Sequence, residues 1–395
     1  PPDPPCLYKS LVREMAYFDN NATTKLHPHP LAAQVDAMGE DWANPSSPYR
    51  SAARVRAKLK IAREEWGEAL GLDPEFLTFT SGATEANNAI LANLAKKSPP
   101  DSRILISSLE HPSISEPAYH WFPDRVDEIL VDSTGLVSIS SLMQFLESPC
   151  PPLLVCMMAA SNESGILQPW SEAAKICSER EISFHCDATQ WLGKLDPSGL
   201  RACSTFVASA HKFGGPKGVG WLAGFISQSV QLGGEQEQGK RGGTENFPAI
   251  EGMRIAWHEC TRDTGSVEER SGWRDGMEGK IRDSIPEIKI IGQSVPRLWN
   301  TSLLVMPEFD NLRWVGKLDK LGHQVSTGSA CSTGSIKPSP TARAHGLSPE
   351  QAKRVLRISS YLPHSQSDWE KLGDAILEAH RQLLEESKNS SVISI

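Results

Sequence analysis

Short apolar runs separated by amphipathic stretches constrain this chain more than any other feature. Phe76–Phe79, Arg103–Ile106, Leu153–Met157 and Glu181–Cys186 each have the length and content of a buried strand. Helical patterns lie between them, as over Ala52–Leu70 and Trp170–Ser178. Strands that are apolar on both faces and alternate with helices point to an α/β domain with a mainly parallel sheet flanked by helices. Near residue 262 the texture changes. Arg262–Arg282 is charged and helical, strand-like pieces follow at Ile288–Ile291 and Thr301–Val305, and a long helix is expected from about Ser367 to Glu386. The chain therefore divides into a large α/β domain over 29–262 and a smaller α+β domain built from 1–28 and 263–395, with 387–395 expected to fray.

Composition removes several classes of function. The net charge of -8 and a pI of about 5.8 leave no basic stripe, and so no clear nucleic-acid binding. No apolar run is long enough to span a membrane, and the first residues lack a signal-peptide pattern. Eight cysteines are scattered without a CxxC pair, so no metal site is expected. Cys156, Cys177 and Cys186 stand in apolar settings and read as packing thiols, which suits a reducing cytoplasm.

Chemistry-bearing residues follow the strands. Thr80-Ser81-Gly82-Ala83-Thr84-Glu85 leaves one strand and opens a helix, a pattern in which Ala83 and Thr84 can hold a phosphate. Alone, it is equally an ordinary helix cap. His111 and Asn162 follow two further strands, His111 as a candidate to stack on an aromatic ring and Asn162 as a candidate to bond a cofactor or substrate oxygen. Lys212 lies in Ser209-Ala210-His211-Lys212-Phe213-Gly214-Gly215. A lysine before a glycine turn is by itself an ordinary surface residue. Asp187 and Gln190, upstream in His185-Cys186-Asp187-Ala188-Thr189-Gln190, reverse that reading. A lysine able to form a Schiff base and an aspartate able to pair with a pyridinium nitrogen are what pyridoxal 5'-phosphate (PLP) requires.

Together these motifs resemble the class V aminotransferase group of fold-type I PLP enzymes, and more narrowly the cysteine desulfurases and selenocysteine lyases. The resemblance runs from Tyr17-Phe18-Asp19-Asn20-Asn21-Ala22-Thr23-Thr24 to about Arg357 and includes Asn44-Pro45-Ser46-Ser47, Arg241-Gly242-Gly243-Thr244-Glu245-Asn246 and Gly328-Ser329-Ala330-Cys331. It implies that Lys212 carries the cofactor, that Asp187 and Gln190 contact its ring nitrogen and phenolic oxygen, and that Thr84, Ser209 and His211 join the phosphate cup. It implies that Thr244 serves a partner's site in a homodimer, and that Arg357 holds the substrate carboxylate. Four positions depart from the family pattern: Tyr49, Ala52, Gln238 and Tyr361.

Cys331 sits in a stretch composed mostly of Ser, Thr and Gly, which packs poorly and suits a nucleophile on a swinging loop. With Lys212 and His111 it completes the expected catalytic set. The expected activity is conversion of L-cysteine to L-alanine, with the sulfur held on Cys331 as a persulfide for an acceptor protein. The alternatives are a selenocysteine lyase or other PLP-dependent C–S lyase acting on L-selenocysteine or L-cysteine and, more distantly, a non-catalytic dimeric scaffold of the same fold.

Overall fold

The computed structural model describes residues 15–226, 231–263, 265–328 and 339–392. The first described strand is the two-residue β1 (Ala16–Tyr17). Seven strands then build the main sheet: β2 (Leu77–Thr80), β3 (Ile104–Ser107), β4 (Val126–Ile129), β5 (Leu154–Met158), β6 (Ser183–Asp187), β7 (Thr205–Ser209) and β8 (Gly220–Gly224). Their order is β2-β8-β7-β6-β5-β3-β4. The pairs among β7, β6, β5, β3 and β4 are parallel, while β8 runs antiparallel to both its neighbours.

The apolar runs become strands because both faces of the sheet are covered. In β5, Val155 and Met157 enter one core while Leu154 and Cys156 enter another on the opposite face. This is the period of two expected of a strand, hidden in the sequence because neither face meets water. The first core is closed by Arg50–Leu70, whose Ala52, Val55, Leu59, Ala62 and Trp66 form one helical stripe, and by Phe247–Arg262. The second is closed by Ala83–Lys97 and Pro112–Trp121.

Four further strands follow: β9 (Lys289–Ile290), β10 (Thr301–Val305), β11 (His323–Gln324) and β12 (Val355–Ser359). An antiparallel sheet runs β12-β10-β9, and β11 pairs with β1 in parallel. The small sheet packs through Leu304, Leu356 and Ile358 on Phe18, Trp314 and Trp369. The final helix, Gln366–Val392, continues through most of the stretch expected to fray, which corrects that expectation. Its buried face, which includes Trp369, Leu372, Ile376, Ala379 and Leu383, anchors it on this core. Among the described residues no helix is long and apolar enough to cross a membrane.

In the main sheet the strand order reverses between β3, which leads to β4, and β5, which starts the run in the other direction. Ligands of open α/β sheets collect at such a reversal, outside the carboxyl ends of the strands. Glu110 stitches this crevice together: its Oε1 accepts from the Met158 amide at 2.8 Å, across from β3 to the end of β5. Burial, with the nearby charge of Asp187 second, pushes its carboxyl up to about 8, so it is predominantly neutral at pH 7.

Candidate active site

A cavity of about 720 Å³ opens at this end of the sheet. Ala83, Thr84 and Ser209 line one part of it, His111, Asp187 and Gln190 another. Asn162, His211, Lys212 and Arg357 complete the wall. Ten residues singled out in six separate stretches of sequence thus meet in one chamber. Thr244 does not: it is exposed, in the loop before Phe247–Arg262, and lies outside the cavity of its own chain. Cys331 lies outside the described residues.

The floor is an ordered chain of hydrogen bonds. Asp187 ends β6 and is 7% exposed. Its Oδ1 accepts from the Thr189 amide at 2.9 Å and its Oδ2 from Asn87 Nδ2 at 3.2 Å. Asn87 Nδ2 also donates to Ser113 Oγ at 3.0 Å, and Asn87 Oδ1 lies 2.9 Å from His185 Nε2. The other ring nitrogen of His185 lies 2.9 Å from Thr205 Oγ1. An amide oxygen can only accept, so His185 carries its proton on Nε2 and takes the Thr205 hydroxyl hydrogen on Nδ1. Burial pulls His185 down to about 4, which keeps this ring neutral. Asp187 is therefore a buried carboxylate held by neutral donors, with no ion pair to it among the described residues. A buried carboxylate held this way calls for a cationic partner, and a protonated ring nitrogen supplies one. On this side the chamber fits PLP.

The opposite end suits the phosphate. Gly82 precedes the helix Ala83–Lys97, which has no side-chain cap, so its opening turn is free of an N-cap side chain. Gly82 has φ 146°, open only to glycine, and a Cβ on Gly220 would meet Gly82 Cα at 2.8 Å. These two glycines press the turn after β2 onto the start of β8, beside Ser209. Glu85 braces the turn: it accepts from the Ser81 amide at 2.7 Å and from Arg241 Nε at 2.9 Å. Arg241 thus acts from the same motif as Thr244, but within the chain.

Lys212 projects from the loop between β7 and β8. Its Nζ donates to the carbonyls of Asn21 at 2.7 Å and Ala22 at 2.8 Å. Burial, with the charge of Arg357 next, lowers it to about 8. The amine can therefore exchange a proton near neutrality, the property wanted of a Schiff-base lysine and proton carrier. His211 Nδ1 lies 3.1 Å from Thr23 Oγ1, and burial holds His211 near 4. His111 caps Pro112–Trp121, its Nδ1 accepting from the Ser113 amide at 3.1 Å, and burial lowers its pKa as well.

The side of the cavity next to β12 is ionic. Arg357, on β12 and 5% exposed, donates from Nη2 to Asp19 Oδ1 at 2.7 Å and from Nη1 to the Asn162 carbonyl at 3.2 Å. Its Nε is buried without a partner. Asn162 contributes its carbonyl here, where sequence suggested its side chain. Asn87, His185 and Asp19 were not singled out from sequence.

A family model described as Aminotransferase class-V matches residues 16–372. The chain is 33% identical over 353 residues to a cysteine desulfurase of Enterobacter agglomerans, covering 87% of each. It is 34% identical over 356 residues to one of Cereibacter sphaeroides, covering 88% of this chain and 90% of that one. Among solved structures, a NifS-like protein from Rickettsia africae superposes with a TM-score of 0.82 at 29% identity, covering 93% of this chain and 99% of that one. A structure described as SspA in complex with cysteine gives a TM-score of 0.76 at 27% identity, covering 87% of this chain and 98% of that one.

Proposed function

The chain belongs to the class-V aminotransferase family, and from that premise we propose that it is a PLP-dependent cysteine desulfurase. The observation that carries the reading is the meeting, in one cavity, of a lysine lowered to about 8, a buried aspartate without a cation, and an arginine with an unpartnered Nε. The cysteine desulfurases it resembles over most of their length support the same reaction.

When bound, PLP supplies an electron sink for charge developing at the substrate α-carbon. The residues of this chain do the rest. Asp187 would hold a ring nitrogen in its protonated form, and Asn87 with His185 fixes the carboxylate that would do so. The opening of Ala83–Lys97, with Thr84, Ser209 and His211, receives the phosphate. Arg357 takes the α-carboxylate of L-cysteine through its guanidinium fork. Lys212 removes and returns protons at the substrate carbons from Nζ. His111 would line the cofactor's site. The Cys331 thiolate attacks the substrate sulfur: the C–S bond breaks, an S–S bond forms, and a proton returns to carbon. One L-cysteine and one thiol thus give L-alanine and one persulfide.

The same reading makes the protein a homodimer in which Thr244 reaches the partner's phosphate, and places it in the cytoplasm, where an acceptor protein takes the sulfur from Cys331. The cysteines among the described residues are free thiols, in keeping with a reducing compartment.

The test is incubation of the PLP-loaded protein with L-cysteine and, separately, L-selenocysteine, measuring alanine and the persulfide on Cys331. Alanine and persulfide are expected from L-cysteine, and Cys331→Ala abolishes both. No alanine from either substrate would sink the reading. Alanine from L-selenocysteine alone would replace it with a lyase.

A further inference from the structure

Of the buried basic side chains that the reaction does not use, Lys194 is the one without an ion pair among the described residues. It is 6% exposed. Burying an ammonium away from any carboxylate is unfavourable, and burial followed by the charge of Lys212 brings this one down to about 7. The titratable groups that sense it or are sensed by it are His211 and Lys212, from the loop after β7, and Cys260, from Phe247–Arg262. Its backbone is fixed on both sides, with Lys194 N donating to the Trp191 carbonyl and Trp299 Nε1 donating to the Lys194 carbonyl, each at 3.1 Å.

What Lys194 touches is Gln190. Its Nζ donates to Gln190 Oε1 at 2.9 Å and to the Gln190 carbonyl at 3.2 Å. Both partners are oxygens, and the nitrogen has an N–H for each whether it is charged or neutral. Were the Gln190 amide turned over, its NH2 would face the Lys194 hydrogens whenever the amine is charged, and its oxygen would face the Asn21 carbonyl in either state. The other end of the amide agrees: Gln190 Nε2 donates to the Asn21 carbonyl at 2.9 Å, the oxygen that also accepts from Lys212. A line of hydrogen bonds therefore runs from Lys194 through Gln190 and Asn21 to Lys212, and Gln190 lies on the cavity wall.

We propose that Lys194 is a positioning residue that locks the Gln190 carboxamide with its NH2 toward the cavity, so that Gln190 meets the phenolic oxygen of the bound cofactor as a hydrogen-bond donor. The inference rests on the PLP reading of the site. A donor at that oxygen withdraws charge from it. Releasing the amide raises the pH at which the cofactor's band near roughly 400 nm titrates.

The experiment is a double-mutant cycle on the PLP-loaded protein with Lys194→Met, Gln190→Met and both, reading the midpoint of that spectral titration. Lys194→Met is expected to raise the midpoint by roughly half a pH unit, a threefold change in the protonation ratio. The shift should fall by at least roughly half when Gln190 is already Met, because the group being steered is gone. An equal shift in both backgrounds overturns the proposal and makes Lys194 a through-space charge. No shift from Lys194→Met overturns it too, since Gln190 then keeps its orientation unaided. If Lys194→Met does not fold, Lys194→Gln takes its place: it keeps an NH2 donor and should hold the wild-type midpoint, and a displaced midpoint counts against the lock. A wild-type protein that shows no such band defeats the PLP reading itself and the inference with it.

Discussion

The floor and the rim of the cavity are both buried, yet they are built on opposite principles. On the floor, Asp187 is held by Asn87 and the Thr189 amide, and Asn87 by a neutral His185, so the single charge is surrounded by dipoles. On the rim, Arg357 is held by the carboxylate of Asp19 and still has Nε free. Neutral donors fix a carboxylate without neutralising it, which suits a group that stays through many turnovers. An ion pair with a spare donor can be rearranged by an incoming carboxylate, which suits a substrate that comes and goes. The difference teaches that permanence and exchange can be told apart by what satisfies a buried charge.

The comparison can be broken at four points. The largest effect concerns Lys212 above the floor. Only its neutral amine condenses with an aldehyde, and its pKa of about 8 lies below the ordinary value of 10.5. The rate at which stripped protein takes up PLP should therefore rise roughly fiftyfold from pH 6 to pH 8 and then level off. A rate that keeps climbing tenfold per unit toward pH 10, within the usual approximate range of an exposed lysine, contradicts a lysine lowered by burial and by Arg357.

At the rim, Arg357→Lys keeps the charge and loses the fork. We expect kcat/KM for L-cysteine to fall about thirtyfold, about 2 kcal/mol, mostly through KM. A change confined to kcat would place Arg357 with the proton transfers instead. On the floor, Asn87→Ala leaves His185 Nε2 and one Asp187 oxygen unsatisfied, and denaturant unfolding should show a loss of about 1–3 kcal/mol. Unchanged stability would mean that the floor is not the over-determined part. Least is expected of Asp19→Asn. It removes the carboxylate that occupies Arg357, and steady-state kinetics should show KM for L-cysteine falling about threefold, the scale of a partly exposed ion pair. A rise in KM would recast Asp19 as an orienting group and erase the contrast between floor and rim.

The sequence showed the rim and the lysine loop more readily than the floor. Asp187 ends a strand, and Thr84, Gln190 and Lys212 follow strands within a few residues, where chemistry and chain direction coincide. The strands β2, β3, β5 and β6 were legible to within a residue or two because each is a short, largely apolar run between helical patterns. β4, β7, β8 and β12 were not singled out, and β8 contains the pair Gly220 and Gly224, which speaks for a turn until the antiparallel partners are known. Asn87 sits inside a helix on the face shared by Ala83, Ala86 and Ile90, and His185 shares a strand face with Asp187 two residues on. Both carry the signal of a polar side chain on a buried face, which must find partners. Which partners they find depends on contacts about a hundred residues away. Asp19 meets Arg357 across 338 positions, a pairing that no local pattern announces.

Those separations also set an order of assembly on the ribosome. Strand β2 has to wait for β8, since Leu77 pairs with Ala223, so the turn that opens Ala83–Lys97 cannot be pressed into shape until β8 has emerged. The rim waits longer, because Asn20 and Asn21 are tied to Ser359 and Asp19 to Arg357. Synthesis runs from the amino end, and long-range pairings form late. On the proposed function, a nascent chain stalled after β8 but before β12 would have the means to hold a cofactor and no means to select a substrate, so its chemistry stays silent until β12 has emerged.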